Sequence, residues 1–149
     1  MKILVINGPN LGLLGKREPA IYGAESLETI NQLLKEESGK ICENIELSFF
    51  QSDIEGEIVQ KIGEAWTKNG ISGILINPGA YTHTSIAIHD AIKASNLPVV
   101  EIHLSQIYKR EEFRHLSIIS SACIGQVAGF GKYSYVLGLN ALCHVLRGI

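Results

Sequence analysis

The spacing of hydrophobic and polar positions changes period several times along this chain. Short, largely β-branched runs stand at "ILVI" (3–6), "IELSFF" (45–50), "GILIN" (73–77), "PVVEIH" (98–103) and, less clearly, "CIGQVAG" (123–129). Runs of this length read as strands. Between them, apolar residues recur every three to four positions, as on one face of a helix. Leu27, Ile30 and Leu34 do so behind Ser26, a good capping residue. Ile58, Ile62 and Trp66 follow the same rule up to an Asn69-Gly70 stop, and Ile88, Ala91 and Ile92 mark a third helix that ends before Pro98. A last helix is expected from about Tyr133 to Arg147, apolar on Val136, Leu139, Leu142, Cys143 and Leu146.

Strands separated by helices require right-handed crossovers, and hence a parallel sheet covered on both faces. Five such strands predict an α/β, flavodoxin-like doubly wound fold, although the sequence does not fix the strand order. No repeat or linker interrupts the pattern, so one domain is expected over residues 1–149. A content of 46% hydrophobic and 19% charged residues is globular, not disordered. The formal charge of -2 leaves no electrostatic footprint for nucleic acid. An 18-residue apolar run is lacking, which argues against a membrane span, and "ILVI" is too short for a signal-peptide core. Cys42, Cys123 and Cys143 are odd in number, with no C-x-x-C, and read as reduced, mostly buried thiols of a cytoplasmic protein.

In an open doubly wound sheet, ligands bind beyond the carboxyl ends of the strands, near the point where strand order reverses. The residues at those ends are polar here. Asn7 and Asn10 follow the first strand, Asn77-Pro-Gly-Ala-Tyr-Thr-His83 the third, and Glu101-Ile-His103-Leu-Ser105 closes the fourth. Glu101 and His103 alternate with Val100 and Ile102, so both project to one face. A glutamate buried there needs a partner; the alternative is a shorter strand with both residues in solvent. His83 belongs either to the site or to a loop opening a helix capped by Thr84 or Ser85. By spacing alone, Asp90 is a surface residue. A long stretch punctuated by glycine and proline, "NGPNLGLLGKREPAIYG" (7–23), follows the first strand. Connections longer than about 12 residues are unusual in compact domains and often bind or cover a ligand, so residues of about 11–25 read as a lid carrying Arg17 and Tyr22.

Several chemistries lack their signatures. The five histidines, at 83, 89, 103, 115 and 144, give no H-E-x-x-H and no zinc spacing with cysteine. Neither a phosphate-binding G-x-x-x-x-G-K-[ST], nor a dinucleotide G-x-G-x-x-G, nor a G-x-S-x-G elbow is present. The remaining Arg, Tyr, His, Asn and Glu suit proton transfer with stabilisation of a developing oxyanion. A non-catalytic module binding a small carboxylate or phosphate in the same cleft, and an oligomeric scaffold, are the competing readings.

Three blocks, "NGPNLGLLGKREPAIYG", "NPGAYTHTSIAIHDAI" and "VVEIHLSQIYKREEFR", followed by "GFGKYSYVLGLNAL", resemble the signature motifs of type II 3-dehydroquinate dehydratases over essentially the whole chain. The resemblance implies a single cytoplasmic catalytic domain that needs no cofactor and no metal, and assembles as a homododecamer of trimers. It also implies dehydration of 3-dehydroquinate to 3-dehydroshikimate in the shikimate pathway, through an enolate and without a Schiff base. Carried over position by position, Tyr22 would be the general base, Arg17 the cation that favours its anion, and Asn10 the donor to the enolate through a water. His103 would be the general acid, oriented by Glu101. Asn77, His83 and Arg114 would bind substrate, the Leu104 and Ser105 amides its carboxylate, and Asp90 would reach the site from a neighbouring subunit. Departures from the commoner pattern fall at Gly12, at Asp53-Ile54 and in "LSQIY", and touch none of these roles.

Overall fold

The structure is a computed structural model that describes residues 1–16, 25–68 and 70–148. Its strands are β1 (Lys2–Asn7), β2 (Glu46–Gln51), β3 (Gly73–Asn77), β4 (Val99–His103) and β5 (Gly125–Ala128). They form one five-stranded sheet in the order β2-β1-β3-β4-β5, and each pairing is parallel. The helices are α1 (Leu27–Ile41), α2 (Glu55–Thr67), α3 (Ile86–Ser95) and α4 (Tyr133–Leu146), with single 3-10 turns between several elements. This is the expected flavodoxin-like, doubly wound architecture. The fifth strand is shorter than the apolar run suggested, because only Gly125–Ala128 pair with β4.

Alternation along each strand sends its side chains into two separate cores. Ile3, Val5, Leu75, Val100 and Ile102 meet Ile30 and Leu34 of α1 and Tyr135, Leu139 and Leu142 of α4. On the opposite face, Leu4, Ile6, Ile74, Ile76 and Val99 meet Ile58 and Ile62 of α2 and Ile88 and Ile92 of α3. Each of these aliphatic side chains contributes roughly 1.5–3 kcal/mol when fully buried. The central strands β3 and β4 are buried at every position, whereas β2, on an edge, is partly exposed throughout.

Local chemistry sets the helix ends. The Ser26 hydroxyl accepts from the Thr29 amide at 3.2 Å, and Ser85 accepts from Ile88 at 2.9 Å, each satisfying a first-turn N–H. Helix α3 stops at Asn96, whose φ of 53° is left-handed, two residues before Pro98. Helix α2 stops at Thr67 and Gly70 takes φ 60°; Asn69, the other half of the expected stop, lies outside the described residues. Trp66 does not sit on the apolar face of α2: it is 53% exposed, and Ala65 is buried instead. At 3.6 residues per turn, a position eight residues after Ile58 points about 80° away from it, and one seven residues after returns to the same side.

Candidate active site

The chain passes from β1 outward to β2 and then returns to the other side of β1 as β3, so the reversal of strand order falls between β1 and β3. Beyond this point the loops lie against one another. The Gly8 amide donates to the Asn77 carbonyl at 2.8 Å. A Cβ on Gly8 would stand 2.5 Å from the Pro78 carbonyl oxygen, so only glycine allows this approach. Asn10 follows with φ 65°, a left-handed conformation that asparagine tolerates better than most residues. Its amide donates to Asp53 Oδ1 at 2.8 Å, which also accepts from Gln51 Nε2 at 3.0 Å. The Tyr81 hydroxyl donates to the Asp53 carbonyl at 2.7 Å. Asp53 thus ties together the loops that follow β1, β2 and β3.

A buried relay forms the floor of the cleft. The Tyr135 hydroxyl, on the first turn of α4, donates to Asn7 Oδ1 at 2.6 Å and accepts from Asn77 Nδ2 at 2.8 Å. Burial pushes the Tyr135 phenol well above its ordinary value, even though the Asn77 amide favours the anion. Tyr135 therefore stays neutral and serves as a donor. Asn77 Oδ1 accepts from the Gly79 amide at 3.2 Å, which fixes the orientation of its side-chain amide.

Glu101 and His103 lie within β4 and are 0% and 7% exposed, so the strand is not shortened and the pair does not sit in solvent. His103 Nε2 lies 2.6 Å from Glu101 Oε1. Burial penalises the Glu101 charge, but hydrogen bonds and attraction from His103, with further bonds from Thr82 and Ser117, outweigh it and hold the carboxyl below its ordinary value. A carboxylate only accepts, so Nε2 carries the proton and Nδ1 is the ring nitrogen left for other chemistry. His83 Nδ1 stands 2.7 Å from the Leu116 carbonyl. By the same logic that nitrogen is a donor, and Nε2 is left over.

Between these groups is a cavity of about 150 Å³. Of the residues singled out from the sequence, Asn10, Asn77, His83, His103, Leu104, Ser105 and Arg114 line it. Glu101 is not on the wall but behind His103. Asp90 is exposed on α3 with its carboxylate 2.9 Å from His89 Nδ1, and does not reach the cavity within this chain. Arg17 and Tyr22 lie outside the described residues. Only a 3-10 turn, Ile107–Lys109, follows Ser105, so no helix dipole strengthens the Leu104 and Ser105 amides. The sequence reading missed Arg110, which lines the cavity, reaches Ser105 Oγ at 3.3 Å and shares Glu111 with Arg114 at 3.4 and 2.9 Å. Its signal was present as Arg110 and Arg114 four residues apart, but no regular helix gave that spacing a face. Among the described residues, no group of three or more His, Cys, Asp or Glu is placed to hold a metal ion.

An α/β protein with a carboxylate–histidine pair buried in β4, beside a cavity at the carboxyl ends of its parallel strands, is the class that fold and site define. The family model described as "Dehydroquinase class II" matches residues 1–143. A 3-dehydroquinate dehydratase of Clostridium perfringens is 55% identical over 147 residues, covering 99% of this chain and 100% of that protein. The one from Clostridium acetobutylicum is 53% identical over 146 residues, covering 98% and 99%. The crystal structure of a type II dehydroquinase from Butyrivibrio crossotus superposes with a TM-score of 0.91 at 47% identity, covering 96% of this chain and 97% of that one. The chain belongs to the class II dehydroquinase family and is an enzyme of that type.

Proposed function

We propose that the protein removes water from 3-dehydroquinate to give 3-dehydroshikimate by an anti elimination through an enolate, as a step of the shikimate pathway in the cytoplasm. The proton leaves the carbon beside the ketone, the hydroxyl leaves the next carbon, and no covalent bond to the enzyme forms. Tyr22 is the base. A free tyrosine ionises near pH of about 10, and Arg17 supplies the nearby positive charge that favours the phenolate. Asn10, whose backbone Asp53 holds in place, supports the enolate oxygen through a water. His103 protonates the departing hydroxyl from Nδ1, with the resulting charge change buffered by Glu101 on Nε2. Asn77, His83 and Arg114 hold the substrate, and the Leu104 and Ser105 amides take its carboxylate. Asp90 is assigned to the cleft of an adjacent subunit of a trimer, within a dodecamer, which accounts for its exposure here.

The observation that carries this reading is the convergence of Asn10, Asn77, His83, His103 and Arg114 on one cavity, with a buried carboxylate paired to the histidine, in a member of this family. The product is a conjugated enone and the substrate is not, so an absorbance assay with 3-dehydroquinate reads the reaction directly. Turnover is expected in the wild type and at least about a hundredfold less in Tyr22→Phe, the usual scale for loss of a general base. Retention of near-wild-type turnover by Tyr22→Phe would remove Tyr22 as the base. Absence of enone from the folded wild-type protein would leave the cleft as a binding site only.

A further inference from the structure

We propose that Thr82 and Ser117 are positioning residues that hold the Glu101 carboxylate ionised and aimed at His103, and thereby fix which ring nitrogen of His103 exchanges a proton with substrate. The inference rests on the dehydration reading above and adds two residues to it.

Glu101 stands in the middle of the sheet at 0% exposure, where one hydrogen bond from His103 would leave most of its acceptor capacity unfilled. The Thr82 hydroxyl donates to Oε1, and Ser117 Oγ lies 3.0 Å from both carboxylate oxygens. The two hydroxyls are 2.7 Å apart. Their orientation is not free. Ser117 Oγ accepts from the Ser120 amide at 2.9 Å, which holds it in place beside the carboxylate and Thr82 as the two groups its single proton can reach. The Ile118 amide donates to the Thr82 carbonyl at 2.9 Å, and His83 Nδ1 bonds the Leu116 carbonyl at 2.7 Å. The 3-10 turn Gly79–His83 after β3 and the segment 116–120 are therefore joined, backbone and side chain, directly beside Glu101.

Counting protons gives the consequence. Thr82, Ser117 and His103 Nε2 each offer one proton to this carboxylate, and an ionised carboxylate can accept all three. A protonated Glu101 would have to donate to one of the hydroxyls, whose own proton would then turn away from the carboxylate to the other hydroxyl 2.7 Å away. Donors to the charged form lower a carboxyl's proton affinity, in agreement with the direction found for Glu101. Among the described residues, the groups facing it support no other proton source. Ile76 and Gln126 are its register neighbours on β3 and β5, and Ile88 and Ile92 fill that face from α3. Besides His103, the nearby ionisable group is Cys123, which burial and then the Glu101 charge push up to about 12, so it remains a neutral thiol.

The test is Thr82→Val, Thr82→Ser and Ser117→Ala in the dehydration assay across pH, with 15N spectra of His103 in the wild type. Thr82→Val keeps the shape and removes one donor, so Glu101 should protonate at a higher pH. The acid limb of kcat/KM is expected to move up by about one pH unit, kcat to fall roughly tenfold, and KM to change little, the scale of one hydrogen bond to a charged group. Ser117→Ala should shift the limb in the same direction, and Thr82→Ser should restore it. The wild-type spectra should show a proton on Nε2, the nitrogen that faces Glu101. An unmoved acid limb in a folded Thr82→Val, a loss of activity uniform across pH that Thr82→Ser does not restore, or a His103 Nε2 without a proton would each overturn the inference. A wild-type Nε2 without a proton overturns the inference even if the substituted chains fail to fold. Failure of the dehydration reading is recognised separately, by the absence of enone from the wild type.

Discussion

Tyr135 is buried completely, yet its hydroxyl serves two asparagines that end neighbouring strands. Tyr135→Phe would leave Asn7 Oδ1 and Asn77 Nδ2 without this partner, in a structure where Asn7 Nδ2 is already buried and has no hydrogen-bond partner among the described residues. Leaving buried polar atoms unsatisfied costs about 1–3 kcal/mol each. Urea unfolding should therefore show Tyr135→Phe less stable by about 2 kcal/mol or more; a loss under about 0.5 kcal/mol would mean the relay contributes little. The sequence made this residue hard to see. Helical periodicity picked out Val136, Leu139, Leu142, Cys143 and Leu146, all of which are at least partly buried, but it weighs side chains by apolarity and is blind to a hydroxyl that pairs across the sheet. Thr82 and Ser117 escaped for the same reason, since single hydroxyls in loops resemble ordinary turn residues. Glu101 and His103 were legible because two polar residues interrupt an otherwise apolar central strand, and that interruption has to be compensated locally.

At the scale of elements, β4 and α4 approach unusually closely. Gly138 lies in the middle of α4, and a Cβ there would fall 2.3 Å from Ile102 Cδ1, the residue between Glu101 and His103. Alanine has the higher helix propensity by about 1 kcal/mol, but here overpacking should win. Gly138→Ala is expected to destabilise by roughly 1–3 kcal/mol. Because the clash is with one terminal methyl, Ile102→Val should relieve it, so the double variant should be less destabilised than the two single effects summed, as a thermal-melting cycle would show. Strands and helices were largely legible as elements, through their different periods. The departures came where a single turn or register decides, as at Trp66 and at the short β5. The 3-10 turns that carry Thr82, His83, Arg110 and Arg114, or lie beside them, have no sustained period to read.

Over the whole molecule, parallel strands bring their carboxyl ends to one edge, and the residues at those ends come from all along the sequence. That arrangement couples the site to stability through Glu101. Its carboxyl titrates below the ordinary value of 4.5 because hydrogen bonds to the charged form outweigh burial, so ionised Glu101 contributes stability above that value and loses it as pH falls through the lowered one. Glu101→Gln should be less stable than wild type near neutrality, and the gap should narrow steadily in acid; unfolding curves recorded over that range would contradict this if the gap stayed constant. No described helix is long and apolar enough to cross a membrane, and the sheet order β2-β1-β3-β4-β5, which the sequence left open, sets β1, β3 and β4 side by side.

The relay from Asn7 through Tyr135 to Asn77 spans separations of 128 and 58 residues, which bears on how the protein comes into being. On the ribosome the amino-terminal part emerges first, so β1, β2 and β3 can pair while the phenol that joins Asn7 to Asn77 is still unsynthesised. During that interval two strand ends at the floor of the cleft hold polar groups that only water can serve. Docking of α4 is thus the event that completes both the core it shares with α1 and the site, and a nascent chain cannot acquire a finished cleft before Tyr135 has emerged.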